Sequence, residues 1–97
     1  MLTEILSQNP QDAFARYGLA MEFSNQGEIE RAMAEFQQLL AAHPDYTAGY
    51  FMAAQTLAKG EHGEEARQML RDGIESAKRT GNQHALAEME AMLAELG

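Results

Sequence analysis

The chain has 97 residues, of which 45% are hydrophobic and 23% are charged, and its formal net charge is −8. The length fits a single domain, and the acidic balance argues against nucleic acid and anionic membranes as partners, because both attract basic patches. The lack of cysteine excludes a disulfide framework and thiolate chemistry.

The N-terminal segment has the pattern of a helix end. Leu2, Ile5 and Leu6 have helical spacing, and Asn9 and Pro10 interrupt the helix after them. The segment lacks the basic and apolar regions of a signal peptide, and no run in the chain approaches the roughly 20 apolar residues of a membrane span. We therefore expect a cytoplasmic protein.

Two amphipathic helices follow. The first is predicted from about Asp12 to Asn25, and its wide apolar surface is typical of a helix that packs on two sides or offers one side to a partner. Gly27 is free to adopt a positive φ in the turn after it. The second helix is predicted from about Glu28 to Ala42, and Pro44 stops it because its ring forbids helical continuation.

Three further helices are predicted, at about Tyr46 to Lys59, Gly63 to Arg79 and Asn82 to Leu96. Gly60 is expected to end the first of them in a left-handed conformation. Gly73 lies in the middle of the second, where Gly costs about 1 kcal/mol relative to Ala, so we expect a neighbouring helix to approach it closely. No segment has the alternating pattern of a strand, which predicts an all-α chain of antiparallel hairpins.

A period of 34 residues relates these helices to one another. It places Ala32 on Ala66, and Pro10 on Pro44. A fixed period of this length is typical of an array of stacked helical repeats, in which each repeat is one supersecondary unit.

The residue pattern within each period resembles the tetratricopeptide repeat (TPR). That pattern has an aromatic residue, a Leu-Gly/Ala pair and a second aromatic residue on its first helix, then Ala, an aromatic residue and Pro on its second. Its positions are matched by Leu19, Ala20, Phe23, Ala32, Phe36 and Pro44 in the first unit, and by Tyr50, Ala53, Ala54, Leu57, Ala66 and Leu70 in the second. Arg16 replaces the leading aromatic residue, and Lys78 replaces the closing Pro, so the fifth helix can run longer than the third.

The resemblance implies an all-α fold, a right-handed α-α superhelix of antiparallel helix hairpins. Residues 1–97 then form one domain, with a partial helix of a preceding unit at 1–9, repeat 1 at 10–43, repeat 2 at 44–80 and a capping helix at 81–97. In the last helix, His84 and Glu88 stand where the family has an aromatic and a small residue. We therefore interpret this helix as the polar cap that ends the array.

No residue pattern indicates catalysis. The histidines lack the i, i+4 spacing of helical metal ligands, and no nucleophile motif or Gly-rich phosphate loop occurs. We predict that the protein is not an enzyme and uses no cofactor, metal or small-molecule substrate. Arg67, Arg71 and Lys78 share one helix face that could bind an anion, but Glu64 and Glu75 are close enough along the helix to pair with them.

The resemblance implies a protein or peptide partner, bound on a concave face that the first helix of each hairpin lines. The side chains predicted there are Phe14, Tyr17, Met21, Phe51, Gln55, Lys59, Met89 and Met92. This nearly uncharged set favours an amphipathic helix or an extended apolar segment as partner. Tyr17, Met21 and Met52 occupy places where some members of the family bind a peptide carboxylate, which disfavours that mode.

Three alternatives remain open at this point. The predicted concave residues, led by Tyr17, Phe51 and Met89, form either an open groove or part of a core tightened by superhelical curvature. Self-association through the last helix, or through Leu2, Ile5 and Leu6, would make the protein a homodimer. The chain could also be a fragment of a larger regulatory or assembly protein, which the half-unit at its N-terminus favours and the capping helix disfavours.

Overall fold

The computed structural model describes residues 2–97, and over that range the chain is all-helical, as predicted. The predicted helix boundaries differ from the observed ones by at most one residue. No helix within the described range is long and apolar enough to cross a membrane. The helices are α1 (Leu2–Gln8), α2 (Ala13–Asn25), α3 (Ile29–Ala42), α4 (Thr47–Lys59), α5 (Gly63–Thr80) and α6 (Gln83–Leu96).

The helices stack as consecutive pairs. α2 packs with α3 and α4 packs with α5, while α1 packs on α2 and α6 packs on α5. Close backbone approaches also join α2 to α4 and α4 to α6, whereas within residues 2–97 no Cα atom of α3 lies within 8 Å of a Cα atom of α5. The first helix of each hairpin therefore lies on the inner side of the curved array, and the second lies on the outer side.

The two hairpin turns share one backbone conformation but differ in sequence. Gly27 has a φ of +78° in the first turn, as predicted, whereas in the second turn Glu61 has a φ of +63° and Gly60 a φ of −85°. The prediction of a left-handed Gly60 was therefore wrong. The 34-residue period aligns Glu61, not Gly60, with Gly27, so a residue with a side chain occupies the strained position. Gly60 is tightly packed instead, since a Cβ there would lie 3.3 Å from Ile29 Cγ1.

Arg16 replaces the expected aromatic residue but makes an equivalent contact. Its guanidinium donates a hydrogen bond to the carbonyl oxygen of Pro10 at 3.2 Å, and the Tyr50 hydroxyl donates to the carbonyl oxygen of Pro44 at 2.7 Å. Arg16 also pairs with Glu35 of α3 at 2.6 Å, with both side chains less than one fifth exposed. In the first unit, the ion pair between Arg16 and Glu35 thus joins α2 to α3. The second unit has Tyr50 at the position equivalent to Arg16.

Two buried hydroxyl pairs join neighbouring helices. Ser24 of α2 lies 2.8 Å from Thr56 of α4, and Thr47 of α4 lies 3.0 Å from Ser76 of α5, measured between hydroxyl oxygens. No buried side-chain nitrogen or oxygen within the described range lacks a hydrogen-bond partner. Because an unpaired buried hydroxyl is costly, these pairs favour one relative position of the helices that they join.

At Gly73, both α4 and α6 pack closely against the backbone of α5. A Cβ on Gly73 would lie 2.5 Å from Met89 Sδ and 2.6 Å from Tyr50 Cβ. The predicted close approach to Gly73 is confirmed. The absence of a side chain in the middle of α5 lets two neighbouring helices pack against its backbone.

We expect Gly73→Ala to lower the free energy of unfolding. Ala is the better helix former by about 1 kcal/mol, but overpacking of a well-packed core costs about 1–3 kcal/mol. The Tyr50 Cβ adjoins the main chain, so relief of the clash would require helices to separate. Denaturant unfolding followed by circular dichroism measures the difference.

Gly63→Ala is the matched control for this substitution. Gly63 lies in the first turn of the same helix, and a Cβ there would make an ordinary contact 3.5 Å from an Arg67 guanidinium nitrogen. Its replacement should leave stability unchanged or raise it by up to about 1 kcal/mol. Equal stability of the two variants would contradict the packing role of Gly73.

Candidate functional site

A groove follows the inner surface between α4 and α6. It consists of three adjoining cavities of about 560, 340 and 350 Å³. The first two share Thr47, Ala48 and Asn82, and the last two share Phe51 and Glu88. We call this continuous depression the α4–α6 groove. Its apolar lining consists mainly of Tyr17, Ala48, Phe51, Met52, Ala85 and Met92.

Half of the predicted site residues line this groove. They are Tyr17, Phe51, Gln55 and Met92, and each is partly buried. The other half lie outside its lining: Phe14, Met21, Lys59 and Met89. Seven of the eight predicted residues have side chains that are at least partly accessible, and for these a role in partner binding stays a prediction.

Met89 was wrongly placed on the accessible concave face. It is fully buried and packs with Tyr50 and Leu70 in the core between α4, α5 and α6. The physical reason is the length of α5, which has 18 residues against 14 in α3, as the loss of the closing Pro predicted. α4 begins 34 residues after α2, but α6 begins 36 residues after α4. Two residues correspond to about 200° of helical rotation, so the 34-residue frame no longer identifies the inner side of α6.

Three of the predicted residues lie outside the groove and differ in exposure. Phe14 is 76% exposed on α2, and Lys59 is exposed at the end of α4. Met21 is partly buried against the core. Apolar surface outside the groove is therefore also accessible to solvent on α2.

Tyr17 contributes to both the core and the groove. Its ring packs edge-on against Phe36 at a centroid distance of 6.5 Å and lies 5.4 Å from the ring of Tyr46. Phe51 is likewise partly buried against the second core cluster while it lines two cavities. The sequence left an open groove and a tightened core as alternatives for these residues. The two are not exclusive, because one side of each ring packs in the core and the other side lines the groove.

The charged side chains of the groove are predominantly acidic. Glu88 lines the two smaller cavities, and its carboxylate lies 3.4 Å from the imidazole of His84, which is 86% exposed. Glu95 lines the third cavity. Asp45 lines the first and pairs with Arg79 at 2.8 Å. The sequence pattern had predicted only that α6 is a polar cap; the length of α5 was the signal that the position of its glutamates relative to α4 would differ.

The basic face of α5 is largely paired internally. Arg67 pairs with Glu64 at 2.6 Å, and this guanidinium holds the pKa of the Glu64 carboxyl below its usual value. Lys78 lies 3.7 Å from Glu75. Arg67 also donates to the carbonyl oxygen of Leu96 at 3.2 Å, at the end of α6. These contacts confirm the predicted ion pairs of Arg67 and Lys78. Within residues 2–97, no three acidic or histidine side chains are grouped so that they could hold a metal ion.

Stacked helix hairpins with a groove along their inner surface define the class of helical-repeat scaffolds, which use such concave surfaces for binding. The family model for the tetratricopeptide repeat matches residues 24–90. The chain therefore belongs to the tetratricopeptide repeat family, as its residue pattern predicted. Proteins of this family generally mediate protein–protein interactions and are generally non-catalytic scaffolds.

The chain also matches individual relatives. It is 27% identical over 95 residues to a TPR repeat-containing protein of Pseudomonas aeruginosa, a match that covers 98% of this chain and 90% of that protein. The solution structure of a tetratricopeptide repeat domain protein from Salinibacter ruber is 30% identical, with a TM-score of 0.84 and coverage of 91% and 89%. A solution structure of a Bordetella parapertussis protein shares the fold, with a TM-score of 0.84, 22% identity and coverage of 98% and 83%.

The three tyrosines near the inner surface should respond to alkaline pH. Burial raises the pKa of Tyr17, Tyr46 and Tyr50 above the usual value of a tyrosine, because it disfavours the phenolate. The stabilisation that comes from burying the neutral phenol groups is complete below the pKa of a tyrosine in the unfolded chain, about 10. It is lost as pH rises through the higher pKa values of the folded state. We expect the phenolate absorbance of the folded protein to appear at higher pH than that of the chain in denaturant. Coincident titrations would contradict this expectation.

Proposed function

We propose that the protein binds a peptide segment of a partner protein in the α4–α6 groove, with an apolar side chain of the segment packed against Phe51. The observation that carries this proposal is the position of Phe51, whose side chain lines both of the smaller cavities. Interaction with proteins is the general role of the family. The proposal adds the location of the site and the apolar character of its anchor.

Binding at this site would involve no chemical step. The groove side chains project from helices whose opposite faces are packed in the core, so little ordering would be needed when a partner arrives. An aromatic or aliphatic side chain in the cavity beside Phe51 would lose contact with water and gain contacts with Tyr17, Ala48 and Met52. Met52 and Met92 are flexible enough to adjust to side chains of different shape.

Removal of the Phe51 ring should lower partner affinity at least tenfold, the loss typical of an anchoring aromatic residue at an interface. A partner would first be captured from extract of the native cells, and the affinity of Phe51→Ala for it measured by titration calorimetry. Phe14→Ala is the matched control, because it removes an exposed phenylalanine that does not line the groove.

A second variant separates binding from folding. Phe51 is partly buried, so its truncation could also lower stability. Ala48 is exposed and lines the groove, so Ala48→Arg would obstruct the cavity without removing a core contact. Full partner affinity in both variants, each with wild-type helical content, would exclude this groove as the binding site.

Self-association is the second candidate function, favoured by apolar surface exposed on α1 and α2. Within residues 2–97, the exposed large hydrophobic side chains are those of Phe14 and Ile5, at 76% and 40%, whereas Leu6 is buried. Exposed apolar patches often mark interaction sites. Of the three residues named from sequence, Ile5 is thus the most available for such a contact.

We expect a homodimer formed through this surface to dissociate when Phe14→Ser and Ile5→Ser are combined, because the substitutions remove the apolar area that would be buried. Sedimentation velocity at several protein concentrations measures the change. Phe51→Ala is the control, since it lies outside this surface. A wild-type protein that remains monomeric at the highest concentration would reject self-association.

A further inference from the structure

We propose that the segment bound in the α4–α6 groove is a cationic amphipathic helix, in which two basic side chains seven residues apart pair with Glu88 and Glu95. This inference rests on the proposed function of the groove. It adds the charge, the conformation and the spacing of the partner segment.

The charge of the groove favours a basic occupant. Among the residues that line its three cavities, all within the described range, none is Lys or Arg. Arg79 already neutralises Asp45, and within residues 2–97 no basic side chain pairs with Glu95. Among the described residues, the Glu88 carboxylate pairs with the exposed imidazole of His84, which is charged only when protonated. An acidic segment would therefore meet repulsion, to which the net charge of −8 adds.

The spacing of the two carboxylates favours a helical occupant. Glu88 and Glu95 are seven residues apart on α6, a rise of about 10.5 Å. A helix with basic residues at i and i+7 presents them on one face with the same separation. On one face of a strand, side chains recur at about 6.7 or 13 Å, and neither distance matches.

The length of the groove sets the length of the segment. Its lining extends from Asn82, the residue before α6, to Glu95 near the end of α6. These 14 residues span about 20 Å at the helical rise per residue. An occupant helix of about 14 residues, nearly four turns, would span it. Apolar residues between the two basic positions, at i+3 and i+4, would then face Phe51 and Met92.

Designed peptides test the charge and the spacing together. The first is a 14-residue helical peptide, a length set by about 1.5 Å per residue, with an apolar stripe and Lys at i and i+7 beside it. The second has Glu in place of both Lys, and the third has the same composition with both Lys on the opposite side of the helix. Fluorescence anisotropy at low salt should give at least tenfold weaker binding for the second and third, a difference that shrinks as salt screens the charges.

Substitutions in the protein test the named partners. Glu88→Gln and Glu95→Gln keep the side-chain shape, and each should weaken the first peptide about two- to fivefold, as expected for partly exposed ion pairs. Glu90→Gln is the matched control, because Glu90 is exposed on the same helix but lines none of the three cavities of the groove. Its affinity for the peptide should equal that of the wild type.

The outcomes separate this inference from the proposed function. Equal binding of the Lys and Glu peptides, or unchanged affinity in both Gln variants, would overturn the inference. The proposed function would still stand if Phe51→Ala abolished binding. Unaltered partner capture by Phe51→Ala and Ala48→Arg would instead overturn the proposed function. A wild-type dimer that Phe51→Ala dissociates would show that a second copy occupies the groove, which also overturns the inference.

Discussion

The close approach of three helices at Gly73 is the constraint on which the rest of the structure depends. Met89 of α6 and Tyr50 of α4 both pack against the backbone of α5 at this residue, because no Cβ keeps them away. The contact draws α6 toward α4 and buries the sulfur of Met89 completely. The seam that remains between α4 and α6 on the inner side is the groove, so the packing of the core determines where a partner could bind.

The groove joins two properties that different parts of the chain supply. α4 contributes the apolar wall, with Phe51 and Met52, whereas α6 contributes the acidic edge, with Glu88 and Glu95. Each aromatic ring at the site has one side in the core and one side in the groove. The same burial that stabilises the fold therefore holds the binding surface in position, and mutations at Tyr17 or Phe51 will affect both stability and binding.

The departures from the repeat pattern are local, and each has a physical counterpart in the structure. Arg16 replaces an aromatic residue and still donates a hydrogen bond to the preceding proline's carbonyl group, with Glu35 as its charged partner. Lys78 replaces a proline, so α5 continues to Thr80 and changes the phase of α6. Glu61 occupies a left-handed position that Gly27 occupies in the first turn. The repeats thus tolerate changes in residue type where the backbone contact is kept, but a change in helix length reorients the next helix.

The sequence by itself determined the helices, their boundaries to within a residue, the family and the close packing at Gly73. These features follow from short-range patterns of apolar spacing, Gly and Pro, and from a 34-residue period that holds from α2 to the start of α5. Only the tertiary structure decided that Met89 is buried, and that Glu88, Glu95 and Phe51 share one groove. The physical reason is that the side of α6 facing inward depends on the extra turn of α5 and on where α6 then packs, and neither can be read from a fixed period.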